Sequence, residues 1–206
     1  TYYNPRRMNF GALRVLNDDR VEAGKGFGTH PHKNMEIISI PLKGKLKHGD
    51  SNKNSRTITI GDIQTMSAGT GIYHSEMNGS DTEPVEFLQI WVMPEKLNTP
   101  PAYRDYDIRP FLRKNELALI VSPDGDAPAK MLQQTWFSIG EIEAGKKIGY
   151  HMHQSHAGGY IFVIEGEVKV DDTVLSRRDG MGVYDTHSFE LETLKDSHIL
   201  LMEVPM

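Results

Sequence analysis

Residues 30–48 read HPHKNMEIISIPLKGKLKH, and this stretch decides the fold. Two histidines separated by one residue precede an apolar run, which ends at Gly44 and is followed by a second short run. Apolar runs of this length between glycine, proline and asparagine are typical of β-strands, and the glycine marks a turn. The stretch therefore predicts a strand that carries two histidines, then a buried strand, a turn and another strand.

The pattern recurs about 120 residues later, where residues 151–170 read HMHQSHAGGYIFVIEGEVKV. From the second histidine to the glycine there are 12 residues in the first copy and 13 in the second. Each copy then continues through a Gly/Asp turn to a further histidine, at His74 and at His187. The offset exceeds the repeat of a solenoid, so the sequence predicts two copies of one β domain.

Short runs rich in β-branched and aromatic residues between turn signals predict an all-β sandwich or barrel. One short helix is expected within Asp105–Glu116. Residues 94–110 contain four of the eleven prolines, which disfavour a central strand, and they are interpreted as a linker. The predicted domains are an N-terminal domain of residues 1–110, which includes this linker, and a C-terminal domain of residues 111–206.

Composition narrows the functional classes. The 206 residues include no cysteine and nine histidines, so any metal must be held by histidine, carboxylate or backbone oxygen. A net charge of -5 argues against direct binding of nucleic acid. No apolar run approaches the ~18 residues of a membrane span, and residues 1–7 do not resemble a signal peptide. The chain begins at Thr1, so residues upstream are expected to be missing; a cytoplasmic monomer is expected.

Two pairs of polar residues have the spacing of metal ligands on strands. His30 and His32 are two residues apart, as are His74 and Glu76. Because alternate side chains of a strand face the same way, two such pairs on neighbouring strands would bring four ligand atoms to one point. Imidazole with one carboxylate suits iron, nickel, copper, zinc or manganese. These four residues are the predicted metal site.

Several motifs resemble those of the cupins. Gly24, His30, His32, Glu36 and Gly44 have the spacing of the first cupin motif, apart from one extra residue before Gly44. His74 and Asn78 end a stretch similar to the second motif, although Ser67 stands where proline is usual.

The stretches DIQTMSAGTGIYHSE (62–76), GTHPHKNME (28–36), LRVLNDD (13–19) and QIW (89–91) more closely resemble the pirin family, a branch of the two-domain cupins. The resemblance is dense over the first hundred residues and thin beyond them. It implies a bicupin fold, in which two tandem double-stranded β-helix (jelly-roll) barrels follow one another.

In pirins the ligands are the two histidines of the first motif, the histidine of the second and the carboxylate two residues after it. The resemblance therefore implies His30, His32, His74 and Glu76 as ligands of one divalent transition metal, with Fe(II) preferred and Cu, Ni, Zn or Mn as alternatives. The general cupin pattern favours Glu36 as the carboxylate instead. Since Glu36 is an even number of residues from His32, we expect it to face inward and support a ligand.

The second copy retains His151, His153 and His187 but has Ala157 and Gly158 where the first motif has its glutamate. Second domains of pirins typically carry no metal, so we expect a degenerate domain. His48 and His198 receive no role. Phe27 and Trp91 are candidates to line a pocket for a planar substrate, and core packing is the competing interpretation of Trp91.

The resemblance implies a quercetin 2,3-dioxygenase. In that reaction a flavonol loses the proton of its hydroxyl group, O₂ attacks, and the oxygen-containing ring opens with release of carbon monoxide. Glu76 would be both ligand and general base. The alternatives are a non-enzymatic, redox-sensitive iron-binding regulator with a protein partner, and a cupin isomerase or an enzyme acting on another substrate. Because neutral imidazole binds metal, affinity is expected to fall below about pH 6.5.

Overall fold

A computed structural model describes residues 4–5, 8–51 and 55–206, in which strands dominate. The stretch read for a signal peptide lies largely outside these residues. The chain forms two compact units. The N-terminal unit comprises Leu13–Arg109 and Met131–Gln133, and the C-terminal unit comprises the described residues up to Ala12 together with Pro110–Lys130 and Gln134–Met206. No helix in the described part is long and apolar enough to cross a membrane.

The N-terminal unit contains two antiparallel sheets. One has the strand order β1-β8-β3-β6-β9 and the other the order β2-β7-β4-β5. The strands are β1 (Leu13–Val21), β2 (Gly26–His32), β3 (Glu36–Lys43), β4 (Lys45–Asp50), β5 (Ser55–Thr59), β6 (Asp62–Ser67), β7 (Ile72–Asn78), β8 (Val85–Val92) and β9 (Ala102–Asp107).

The C-terminal unit also contains two sheets, with the orders β11-β10-β12-β19-β14-β17 and β13-β18-β15-β16. The strands are β10 (Ala118–Ser122), β11 (Ala129–Lys130), β12 (Trp136–Ile142), β13 (Lys147–His151), β14 (Ala157–Glu165), β15 (Glu167–Val170), β16 (Thr173–Ser176), β17 (Gly180–Val183), β18 (Ser188–Thr193) and β19 (Ser197–Pro205).

The two units repeat one topology. The order β2-β7-β4-β5 corresponds element by element to β13-β18-β15-β16, and β1-β8-β3-β6 corresponds to β12-β19-β14-β17. Equivalent turns fall at Gly44 and Gly166, both with positive φ. The predicted all-β fold of two tandem cupin barrels is confirmed.

Two local predictions were wrong. Within the predicted linker, residues Ala102–Asp107 form β9, which pairs only with β6 at the edge of its sheet. An edge strand tolerates flanking prolines because one side of its backbone needs no partner. Instead of the helix expected within Asp105–Glu116, the structure has a single 3-10 turn at Arg109–Phe111. The compact units also differ from the predicted domains, because residues up to Ala12 group with the C-terminal unit and Met131–Gln133 with the N-terminal unit.

Both barrels contain clusters of buried apolar side chains. In the C-terminal unit ten buried residues form one cluster: Ile142, Tyr150, Ile161, Val163, Val168, Val170, Leu175, Leu191, Ile199 and Leu201. The N-terminal unit contains smaller apolar clusters, one of them formed by Ile37, Met66, Ala68 and Ile72, with Trp91 and Tyr103 packed against it. A group of buried polar side chains lies beside this second cluster.

Candidate metal centre

Three histidines converge inside the N-terminal barrel. β2 carries His30 and His32, β7 carries His74, and the antiparallel register places His30 opposite His74. Along β7 the alternate residues from Ile72 to Asn78 are buried, so His74 faces inward and is only 2% exposed. One nitrogen from each histidine lies within 4.8 Å of the other two.

Hydrogen bonds orient these rings. Nδ1 of His30 lies 2.8 Å from the carbonyl oxygen of Gly28, to which its N–H donates, and this leaves Nε2 of His30 with a lone pair. Nε2 of His74 lies 2.9 Å from Nε2 of His30. Two nitrogens that bind one ion at ~2.1 Å and at a right angle lie ~3.0 Å apart. Nε2 of His32 is buried and has no hydrogen-bond partner among the described residues. The donor set therefore fits a transition-metal ion.

Burial keeps the rings of His32 and His74 neutral. Desolvation, followed by the charge of His30, lowers the pKa of His32 to about 4. Desolvation also lowers the pKa of His74 to about 3, with the neighbouring histidines adding to the effect. Because neutral imidazole is the form that binds metal, these two ligands need no deprotonation at neutral pH.

Glu76 lies on the same face of β7 as His74 and is 2% exposed. Its Oε1 accepts a hydrogen bond of 3.1 Å from Oγ of Ser39, and its Oε2 accepts one from Nε2 of Gln89. Burial raises the pKa of this carboxyl group. Glu76 does not belong to the cluster of three histidine nitrogens; its carboxylate is held by two neutral donors.

Glu36 has a different position from the one expected. β2 ends at His32 and β3 begins at Glu36, and the intervening turn includes Asn34 with a φ of 50°. Side-chain parity is lost across such a turn, because it holds only along one strand. Oε2 of Glu36 accepts hydrogen bonds from the backbone N–H groups of Leu132 and Gln133, at 3.0 and 3.2 Å. Glu36 thus anchors the segment at Leu132 and Gln133, and among the described residues no hydrogen bond joins it to a histidine.

The two predicted pocket residues also differ in role. The Trp91 ring meets the His32 ring edge-on, with centroids 4.8 Å apart, and its Nε1–H donates to Oε1 of Gln89 at 3.1 Å. Trp91 therefore packs against His32, a predicted ligand, and orients the amide that holds Glu76. Phe27 lies opposite Glu76 in the register and is 42% exposed. A cavity of about 430 Å³ beside His32 has neither in its lining, which consists of Pro31, His32, Lys33, Thr70, Gly71, Ile72 and Tyr73.

The histidines of the second copy do not converge. In the N-terminal barrel His30 pairs with His74, whereas at the equivalent place Tyr150 pairs with Phe189. His151 is therefore displaced by one position, and a one-residue shift turns a side chain to the other face of its sheet. His151 and His187 are exposed.

His153 belongs instead to a hydrogen-bonded network around the fully buried Glu203. Oε2 of Glu203 accepts hydrogen bonds of 2.8 Å from the Tyr150 hydroxyl and from Nδ1 of His153. Its Oε1 accepts from the backbone N–H groups of His153 and Gln154. The His153 ring also stacks on Trp136 at 4.8 Å. Both oxygens of the carboxylate are satisfied, so this network is structural.

Sequence reasoning gave no role to His48, which is fully buried on β4. Its Nε2 lies 3.0 Å from Nδ1 of His74, and its ring stacks on Tyr103 with centroids 4.4 Å apart. The internal repeat contained the signal for this contact: counted from the turn glycine, His48 stands where the second copy has Val170. A histidine at a position of core valine indicates a polar interior.

Known protein families match both halves of the chain. A family model described as Pirin matches residues 1–92, and one described as Quercetinase C-terminal cupin domain matches residues 119–204. A protein of Escherichia coli K12 named quercetin 2,3-dioxygenase is 38% identical over 209 residues, which cover 99% of this chain and 87% of the relative. A pirin-like protein of Caulobacter vibrioides is 34% identical, over 98% of this chain and 88% of the relative.

Solved structures show the same similarity. The crystal structure of the bacterial pirin YhhW from Escherichia coli in complex with nickel(II) superposes with a TM-score of 0.92 at 36% identity. The match covers 99% of this chain and 87% of that one.

Proposed function

Because the chain belongs to the pirin family, we propose that it is a metal-dependent dioxygenase that cleaves flavonols such as quercetin with O₂. The convergence of three histidine nitrogens within 4.8 Å of one another carries the proposal. A relative named quercetin 2,3-dioxygenase, 38% identical over nearly the whole chain, supplies the substrate class.

His30, His32 and His74 would hold the ion, with Glu76 as the proposed fourth ligand. The bound metal supplies Lewis acidity toward a substrate hydroxyl group and redox chemistry toward O₂. We propose Fe(II) as the native ion, since nitrogen and oxygen donors suit it and it is redox-active, whereas zinc is not. Elemental analysis of protein purified without added metal tests this choice; iron is expected, and a stoichiometric content of another metal contradicts it.

Glu76 is the proposed general base for the flavonol hydroxyl group. Burial raises the pKa of its carboxyl group, which makes the carboxylate a stronger base. Ser39 and Gln89 fix both of its oxygens, so the group stays oriented while it holds a proton. The proton would move from the substrate hydroxyl group to a carboxylate oxygen of Glu76.

Aerobic incubation with quercetin tests the proposal. Chelator-treated protein loaded separately with Fe(II), Cu(II), Ni(II) or Mn(II) should bleach the visible band of quercetin, consume one O₂ per flavonol and release carbon monoxide. Metal bound stoichiometrically without turnover for any of these ions would contradict the enzymatic function and favour a regulator.

Replacement of Glu76 by its amide tests the proposed base. Glu76→Gln keeps the shape of the side chain but cannot accept the proton, so kcat should fall by ~10²–10⁴-fold while the three histidines still retain metal. The control is Glu190→Gln, which changes an exposed carboxylate paired with Lys147. An unchanged kcat in metal-loaded Glu76→Gln would refute the assignment.

A further inference from the structure

His48 contacts one predicted ligand and lies outside the ligand group itself. Its ring is fully buried, and its Nε2 lies 3.0 Å from Nδ1 of His74. The contact uses the nitrogen of His74 that faces away from His30, because Nε2 of His74 is the atom 2.9 Å from His30. His48 therefore contacts the edge of the His74 ring that points away from His30.

A comparison of equivalent positions in the two barrels shows that His48 is one of seven polar residues that replace apolar or aromatic ones. On the sheet registers, His48 opposes Glu76 as Val170 opposes Leu191, and Ser39 opposes Gln89 as Ile161 opposes Leu201. Seven positions of the N-terminal interior therefore have apolar or aromatic counterparts in the C-terminal core. The positions of His30, His32, Ser39, His48, His74, Glu76 and Gln89 are taken by Tyr150, Met152, Ile161, Val170, Phe189, Leu191 and Leu201.

Neighbouring side chains hold the His48 ring in place. The ring stacks on Tyr103 at an angle of 15° between planes. Nε2 of Gln64 donates to the hydroxyl oxygen of Tyr103 at 2.5 Å and to Oδ1 of Asp105 at 3.1 Å. The stacking covers one face of the His48 ring and keeps it aligned with His74.

We infer that His48 is a positioning residue that fixes the tautomer and orientation of His74 for metal binding. A metal-ligating imidazole donates its second N–H to an outer partner, and that partner selects which nitrogen is free. When Nε2 of His74 binds the ion, the Nδ1–H of His74 donates to Nε2 of His48. His48 then carries its own proton on Nδ1, a buried atom without a partner among the described residues. The inference rests on the metal centre proposed above.

Ni(II) affinity of His48 variants tests the inference. His48→Val installs the residue of the second copy and should weaken Ni(II) binding by ~10–100-fold, the effect of losing an outer partner. His48→Gln places an amide oxygen where Nε2 stood and should restore binding close to wild type. The matched control is Tyr103→Phe, which keeps the stacked ring and should also bind as wild type does.

Two outcomes would overturn the inference: His48→Val binding Ni(II) as tightly as wild type, or His48→Gln binding as weakly as His48→Val. If His48→Val fails to fold, His48→Asn replaces it, because its shorter amide cannot reach Nδ1 of His74. A separate His74→Ala variant tests the centre itself. Loss of Ni(II) in His74→Ala with unchanged affinity in His48→Val would leave the centre intact and remove only the role of His48.

A spectroscopic measurement distinguishes positioning from packing. In the diamagnetic Zn(II)-loaded protein, long-range ¹H–¹⁵N spectra of the imidazoles should show His48 protonated on Nδ1 and His74 protonated on Nδ1. A proton on Nε2 of His48 in that state would contradict the inference, whatever the effect of the variants on affinity.

Discussion

At the scale of single residues, burial lowers the pKa values of two predicted ligand histidines, so they are already neutral before a metal binds. His32 and His74 lose the ability to hold a proton because their rings are desolvated and face other histidines. Their pKa values of about 4 and about 3 replace the ordinary value near 6.5 that the sequence alone suggests. The contribution of His32 and His74 to metal affinity should therefore fall at a lower pH than that of exposed histidines.

The pH dependence of Ni(II) affinity checks this shift. Between pH 6 and pH 5 an ordinary histidine ligand would lower affinity by roughly 8-fold, and three would lower it by roughly 500-fold. Because protons compete for His32 and His74 only near and below their lowered pKa values, these two should contribute almost nothing over this range. Competition with a chelator at each pH measures the affinity.

Glu76→Gln is the control for that titration, because it removes the buried carboxyl group whose raised pKa also adds a proton dependence. A loss of roughly 500-fold in Glu76→Gln between pH 6 and pH 5 would mean that all three imidazoles titrate as ordinary ones. That result would contradict the assigned burial of the centre.

The convergence of the three histidines could be predicted from spacing, because the two-residue period of a strand fixes which side chains share a face. The role of Glu36 could not be predicted in this way. The two-residue period does not extend across the turn between His32 and Glu36. His48 was missed because a single histidine four residues after a glycine has no metal-ligand spacing of its own. Its burial and its contact with His74 depend on the pairing of β4 with β7, which is a long-range property.

At the scale of elements, two turns hold the ligand strands together. The N–H of Asn34, in the turn after β2, donates to the carbonyl oxygen of Gly69 at 3.0 Å, and the N–H of Ala68 donates to that of Met35 at 2.8 Å. Gly69 has a φ of +47°, and a Cβ atom there would lie 1.9 Å from the carbonyl oxygen of Thr99. The turn before β7 therefore requires glycine for both conformation and space.

Gly69→Ala should lower the free energy of unfolding by ~2–5 kcal/mol, from the left-handed backbone and from the clash together. Gly24→Ala is the matched control, because Gly24 has a φ of +66° but no neighbouring atom within 4 Å of the place where a Cβ would lie. It should cost only the ~1–2 kcal/mol of the backbone conformation. Urea unfolding measures both, and equal losses would show that the contact with Thr99 is unimportant.

The strand order was predictable in outline, since the glycine turns and the repeat mark corresponding elements. β9 was not predicted because its residues do not alternate between apolar and polar. A strand at the edge of a sheet can form without that alternation. The outward direction of His151 was not predictable, because it depends on the register of β13 with β18.

At the scale of the whole molecule, one β domain occurs twice, and the two copies differ in the polarity of equivalent interior positions. The N-terminal barrel places polar groups at seven positions where the C-terminal barrel has apolar or aromatic side chains, most of them in its core cluster. The His151–His153 pair therefore does not mark a second centre, and Glu203 satisfies His153 within the protein. The pairing of strands brings three histidine nitrogens together in the N-terminal unit, where we propose the metal centre.

Metal content per chain tests this account most directly. Protein stripped of metal, incubated with excess Ni(II) and freed of unbound ion should contain one equivalent in the wild type and in His153→Ala. His74→Ala should contain almost none, since it removes a central ligand. Two equivalents in the wild type, or a full equivalent retained by His74→Ala, would contradict a single centre built on His30, His32 and His74.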